Sequence, residues 1–290
     1  MPDPAMLSSL SSSLASVVAA GSPAIVAVTS HRSRAAGFVW KEGLVVTADE
    51  TLADEGEVAV RLSNGESVAA TIAGRDHTTD IALLRLDTKG AAPAKLTEAV
   101  PALGSLAIVV SADRGGAAAA LGLVSLAGER WRSLRGGEID ARIELDVRLR
   151  RDWQGGLALD ATGSAFGMAV LGARRRILVI PATTITRVAG RLETHGRIAR
   201  GYLGLALQPV KFDADGVGAM VMSVDSTGPG AAAGVRQGDV IVGWNGEALS
   251  VRSMWRALGP ESVGTVAELK LRRGGEPVTV KLTVGERPAA

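Results

Sequence analysis

The residues with chemistry to offer are few and scattered. The apolar run "GLVVT" (Gly43–Thr47) passes into a polar turn that holds Asp49 and Glu50, where carboxylates can act as acid, base or cation ligand. Three histidines, His31, His77 and His195, stand alone, and none has a second histidine at the H-x-x-x-H spacing of a metal-binding helix. His31 falls at a strand end, His77 in the turn "RDHTTD" and His195 at a helix end, so each reads as a surface residue. Cysteine is absent, which excludes a thiolate nucleophile, a disulfide framework and a Cys-based metal site. Arginines cluster as Arg148, Arg150 and Arg151, and again as Arg174, Arg175 and Arg176. Guanidinium forks pair with carboxylates and phosphates; the plainer reading is solvated loop arginines with their stems over apolar surface.

These residues need a scaffold. A chain of 290 residues suits two domains of ordinary size. With 47% hydrophobic and 21% charged residues its composition is that of an ordinary globular protein. A net charge of +2 and 3% aromatics give no sign of a nucleic-acid partner. At the N-terminus Leu7, Leu10, Leu14 and Val18 recur at helical spacing and lead into a strand at Ala24–Val28. No Lys or Arg precedes Arg32, and Asp3 sits where a secretory signal carries positive charge. Gly21 and Pro23 interrupt the apolar run, which reads as too short to span a bilayer. The expectation is a cytoplasmic protein, or a periplasmic or secreted one if a leader has been removed.

From Ala24 to about Ile180 short strands follow one another. In "EVAVRLSNGESVAATIAG", Val58, Val60 and Leu62 alternate, Asn64-Gly65 supplies a hairpin turn, and Val68, Ala70 and Ile72 return. Strands in series without helices between them predict sandwiches or barrels. One helix then carries Ile185, Val188, Ala189 and Leu192 on a single face, with Thr183 or Thr184 as its cap and Gly196 at its left-handed end. After "RIARG" strands resume, with a second helix expected at Val251–Leu258 behind a Ser250 cap. The division is an N-terminal helical segment (1–22), a β domain (23–197) and an α+β domain (198–287).

The order of segments resembles the HtrA/Deg (Do-like) family, in which a trypsin-like serine protease precedes a PDZ domain. The resemblance rests on "GFVWKEGLVVTADETL", "VRLSNGESVAATIAGRDHTTDIALLRL", "IELDVRLRRDWQGGLALDATGSAFGM" and "THGRIARGYLGL". It implies a mostly β fold: two antiparallel six-stranded barrels with the active site between them, then an α+β PDZ domain. Aligned on Gly43 and Thr47, the family's general-base His falls on Glu50. The nucleophile motif falls on "DWQGGL", which puts Gln154 at the Ser position and Asp152 at the Gly that lends an N–H to the oxyanion hole. Only the triad Asp is kept, as Asp80. An amide is no nucleophile, and acyl transfer by this design needs a hydroxyl and an imidazole within reach of it. The expectation is therefore a degenerate protease without enzymatic activity. Glu50 and Asp80 should repel, raising the pKa of one. An acid–base or metal role for that pair, with a histidine, is the alternative for an enzyme. By the same resemblance Arg148 falls at the floor of the specificity pocket, and with Arg150 and Arg151 it forms a candidate anion site.

The PDZ resemblance implies capture of a peptide C-terminus by strand addition, with the carboxylate held by backbone N–H groups. The loop falls on Tyr202, Leu203, Gly204 and Leu205, and Met254, Trp255 and Leu258 are candidates for the side-chain pocket. The expected function is that of a non-cleaving scaffold or adaptor for protein C-termini or partner segments. A chaperone-like holder and a regulatory subunit of an active HtrA relative are the alternatives. No cofactor or metal is expected, and a homotrimer is the family's usual assembly.

Overall fold

The computed structural model describes residues 4–31, 33–54, 56–113, 116–211, 217–248 and 257–288. The chain divides into two compact units, Met1–Ile198 and Ala199–Ala290.

The first unit opens with helix α1 (Pro4–Gly21), whose Leu14, Val17 and Val18 pack against the core while Met6, Leu7 and Leu10 stay exposed. By length and composition alone Ala5–Ala24 is apolar enough to cross a membrane, against the expectation of a run too short. The helical turn at Ser22–Ala24 continues the apolar stretch past Gly21.

Six strands follow: β1 (Ile25–Ser30), β2 (Ser33–Lys41), β3 (Leu44–Thr47), β4 (Val58–Arg61), β5 (Ser67–Asp76) and β6 (Ile81–Arg85). They close into an antiparallel barrel in the order β1-β2-β3-β6-β5-β4. Period-2 alternation explains the inward faces: Val58 and Val60 are buried while Ala59 and Arg61 point out. The β4–β5 hairpin pairs Val58 with Ala70 and Val60 with Val68, and Gly65 turns it at φ +89°.

The second barrel is built from β7 (Leu106–Asp113), β8 (Gly116–Gly128), a small hairpin β9 (Trp131–Arg132) and β10 (Glu138–Ile139), then β11 (Arg142–Asp146), β12 (Gly156–Leu159), β13 (Ala165–Leu171) and β14 (Ile177–Pro181). Its closed order is β11-β14-β13-β12-β7-β8, with β9 and β10 outside. Phe38, Ile81 and Leu83 of the first barrel share one cluster with Val110, Leu157 and Met168 of the second. That shared core fixes the two barrels against each other and so fixes what lines the cleft between them.

Helix α2 (Ala182–His195) buries Ile185, Val188, Ala189 and Leu192 in the same cluster. Gly196 ends it at φ +70° with its N–H on the Leu192 carbonyl, as the sequence predicts. The threonine cap is not made: the helix starts after Pro181. Thr184 instead accepts the Asp140 N–H and donates to the Asp140 carboxylate, both at 2.9 Å.

The second unit is a sheet ordered Leu205–Lys211, Val217–Val224, Val240–Trp244, Val266–Arg273, Glu276–Thr283, with Leu203, Val221, Ile241 and Leu269 in its core. Asn245 and Gly246, both at positive φ, make the "WNGE" turn. Buried Asp239 holds Arg273 and the Arg236 N–H, and the Arg273 hydrogen bonds keep its carboxyl below the usual range. Residues 251–256 of the helix expected at Val251–Leu258, among them Met254 and Trp255, and its Ser250 cap lie outside the described residues.

Candidate functional site

The acidic turn after β3 has a structural use that its sequence conceals. Asp49 is buried, and its carboxylate takes the Arg75 Nε–H on one oxygen and His77 Nδ1 on the other, each at 2.5 Å. Arg75 also donates to the Asp49 and Ala53 carbonyls, both at 3.2 Å, so one guanidinium ties the whole turn to the end of β5. His77 is the exposed surface residue expected, and its ring is also tied to Asp49.

Glu50, next in the chain, carries an exposed side chain, and its N–H donates to Asp80 Oδ1 at 2.7 Å. The structure brings these two positions together through backbone and carboxylate. Asp80 itself sits at φ +59°, an uncommon conformation for a non-glycine residue. Its pKa is raised to about 7. Burial is the main cause, opposed by the Glu50 N–H, while repulsion from Asp49 and Glu50 adds a smaller push and Arg135 a small counterweight. No group of three His, Asp or Glu suited to hold a metal occurs among the described residues.

Gln154 follows a helical turn at Arg151–Trp153 and is buried. Its amide oxygen accepts the Leu171 N–H at 3.0 Å, and its amide nitrogen donates to the Arg151 carbonyl at 3.2 Å. One side chain therefore bridges the segment before it and the end of β13. Gly155 beyond it is at φ +91°, where a Cβ would lie 2.1 Å from the Ala36 carbonyl, so only glycine fits. Asp152 faces Arg150, with contacts of 3.1 and 3.0 Å.

The arginines are rearranged relative to expectation. Arg150 is already paired with both Asp152 and Asp113 and stacks 5.6 Å from the Trp153 ring, so it is not a free anion ligand. Arg151 borders a hollow shared with His31, Glu50 and Gln154. Arg148 lines neither that hollow, of about 800 Å³, nor the second cleft, of about 590 Å³, that runs past Glu50 and Asp80. This second cleft takes its cations from elsewhere: Arg132, Arg135, Arg142, Arg174 and Arg176. Buried Glu144 receives Arg142 at 2.7 Å and Arg176 at 3.1 Å. Burial alone would raise its pKa, and these hydrogen bonds override that and hold it low. Sequence reading singled out Asp49, Arg174 and Arg176 but missed the Arg75 partner of Asp49 and the cleft arginines Arg132, Arg135 and Arg142.

In the second unit the Tyr202–Leu205 loop enters the edge strand Leu205–Lys211, which pairs on one side only, with Val217–Val224. The N–H groups of Leu203 and Gly204 donate to no acceptor among the described residues. The loop is held by its carbonyls, Leu203 accepting the Gly230 N–H and Gly204 that of Asp225, and by the Tyr202 hydroxyl on Asp225. Leu258 is buried in the core, and its carbonyl takes the Gly201 N–H.

Comparison with known proteins agrees with this architecture. A trypsin-like peptidase domain matches residues 35–168 and a PDZ domain matches residues 201–284. A "Probable periplasmic serine endoprotease DegP-like" of Rhizobium meliloti (strain 1021) is 28% identical over 282 residues, covering 89% of this chain and 55% of the relative. The protein of the same name in Brucella suis biovar 1 is 29% identical over 275 residues, covering 88% and 53%. The chain thus spans about half the length of these relatives. Among solved structures, the serine endoprotease from Yersinia pestis superposes with a TM-score of 0.71 at 24% identity, covering 94% of this chain and 97% of that one. The HtrA-type protease AlgW with a decapeptide gives 0.71 at 21% identity, covering 95% and 99%; both share the fold.

Two expectations fall to these comparisons. The relatives are named serine endoproteases, which points to protease activity and overturns the expectation of a chain that is no enzyme. They are named periplasmic, which overturns the cytoplasmic placement. The residues at positions 50 and 154 are facts of this chain, and the names are facts of its relatives. A trypsin-like double barrel followed in sequence by a PDZ domain, with DegP-like relatives along nine-tenths of its length, makes this chain a member of the HtrA/Deg family.

Proposed function

We propose that this chain is an HtrA-type peptide-handling protein of the cell envelope that acts as an adaptor, capturing protein C-termini through its PDZ domain. The observation that carries the reading is the pair of N–H groups at Leu203 and Gly204 that have no acceptor among the described residues, beside a strand that pairs on one side only among those residues. A terminal carboxylate satisfies such donors, and the rest of the peptide extends the sheet as an added strand. Gly204 is at φ +69°, with a Cβ position only 2.9 Å from Gly228, so the loop depends on having no side chain there. Envelope placement and peptide handling follow the relatives, among them a structure that holds a decapeptide.

Chemistry limits how the barrel unit could cleave. The Gln154 amide carries no hydroxyl and is hydrogen-bonded on both ends, so hydrolysis by this chain does not pass through an acyl-enzyme at residue 154.

The test is fluorescence polarisation of the full chain against peptides made as free acids and as C-terminal amides. Binding of free acids that falls at least about tenfold on amidation, and that Gly204→Ala abolishes in a folded protein, is the expected result. Equal binding of acid and amide forms refutes capture by the carboxylate.

A further inference from the structure

The cleft past Asp80 holds more positive charge than its own carboxylates neutralise. Five arginines line it against Glu50, Asp80 and Glu144. Arg142 and Arg176 share Glu144, and Arg132 faces Glu138 at 3.3 Å. Arg135 has no ion pair among the described residues; its guanidinium donates to the His77 carbonyl at 3.2 Å. Arg174 makes no hydrogen bond or ion pair among the described residues.

Arg174 sits at the tip of a tight loop closed by the Gly172 N–H on the Arg176 carbonyl at 2.7 Å. It and Arg175 both take positive φ, 57° and 59°. Two successive non-glycine residues in that region cost about 1 kcal/mol or more each, and such strain gathers where a loop presents a ligand group. Beneath the arginines the lining is apolar, with Trp131, Ile139, Val170, Leu171 and Leu178. A ligand that fits has a carboxylate next to an aliphatic or aromatic group on an extended backbone.

We propose that this cleft binds an extended peptide segment through an acidic side chain, Asp or Glu, seated against Arg174 and Arg135, with an apolar neighbour on the floor below. This is a second peptide site, in the barrel unit and separate from carboxylate capture by the PDZ domain. Charge complementarity selects the occupant: two guanidinium groups that make no ion pair among the described residues, in a concave, partly apolar site, favour a carboxylate over an amide of the same shape.

The experiment uses fluorescein-labelled peptides that are amidated at the C-terminus, so PDZ capture does not contribute and the two readings fail separately. One peptide carries Glu between two leucines and its twin carries Gln. The full chain should bind the Glu peptide at least tenfold more tightly at low salt, with the preference shrinking in 0.5 M NaCl. Arg174→Glu, at an exposed loop tip, should erase the preference, and Arg135→Ala should reduce it. Arg148→Ala, outside the cleft, should leave it intact. Equal affinities for the Glu and Gln peptides, no binding of either, or a preference that survives Arg174→Glu overturns the proposal.

Discussion

Asp80 makes a quantitative claim on stability. Its pKa rises from the ordinary 3.8 to about 7 in the folded protein, chiefly through burial. The sign follows from linkage: between those two values the folded state holds a proton that the unfolded chain has lost, so stability falls as pH rises through the window and levels off above about 7. At about 1.4 kcal/mol per pH unit, a gap of roughly 3 units caps the effect near 4 kcal/mol. Asp80 borders an open cleft, and solvent screening brings the expected value to about 1–3 kcal/mol. The groups that set it are Glu50 and Asp49 on the facing turn, Asp49 being held by Arg75 and His77, and Arg135 on the β9–β10 loop. Asp80→Asn keeps an oxygen for the Glu50 N–H, tolerates positive φ and cannot ionise. Urea denaturation of both proteins from pH 4 to pH 8.5 should show them equal near pH 4, with the variant gaining steadily to about 1–3 kcal/mol by pH 8. A variant equal to or weaker than the parent at pH 8 would refute the assignment of an Asp80 carboxyl whose pKa burial raises to about 7.

Two further predictions rest on single side chains. Asp49→Ala removes the partner of half-buried Arg75 and should cost about 2–4 kcal/mol in the same assay, short of the full penalty for an orphaned charge because Arg75 keeps its carbonyls; a loss under ~0.5 kcal/mol would sink that account. Gln154→Ala strands the Leu171 N–H and the Arg151 carbonyl and should cost about 1–3 kcal/mol. A serine-reactive fluorophosphonate, followed by intact-mass spectrometry, should place no adduct on residue 154 in the parent.

What was legible in the sequence was local. Val58 and Val60 declare their inward face by alternation, Asn64-Gly65 declares its hairpin, and Gly196 declares the end of α2, because each acts over a few residues. Segment order then carried the double barrel and the PDZ domain. The site was less legible because its contacts join distant segments. Asp49 meets His77 across 28 positions, and Gln154 reaches Leu171 across 17; neither follows from residue type. Arg150 shows the same limit, since Asp113, which pairs with it, lies 37 residues earlier on another strand. Thr184 as a cap was reasonable by propensity and lost to Asp140, which offers the hydroxyl both a donor and an acceptor. Compartment and activity failed for another reason: both were inferred from missing features, and the relatives supply the positive information.

The groups at the family's reaction positions are satisfied by the protein itself, and this bears on what both units can still bind. Asp80 accepts the Glu50 N–H, Gln154 bridges Arg151 and Leu171, and Asp152 holds Arg150. A group so engaged must break its own bonds before it meets a ligand. Among the described residues, Arg174 in the barrel unit and the Leu203 and Gly204 N–H groups in the PDZ unit make no hydrogen bond, and Arg135 has no ion pair. All are donors, and two carry positive charge, so each seeks a carboxylate. Glu50 is the exception: its exposed carboxylate lines both hollows of the cleft and repels an acidic peptide that comes close to residue 154. The acidic residue of a bound segment is therefore directed toward Arg174, away from Gln154. In the PDZ unit the free carboxylate at the chain's end is directed to the Leu203–Gly204 loop. Side-chain and terminal carboxylates thus belong to different units, which is why amidation and Glu-to-Gln exchange are the substitutions that tell the two sites apart.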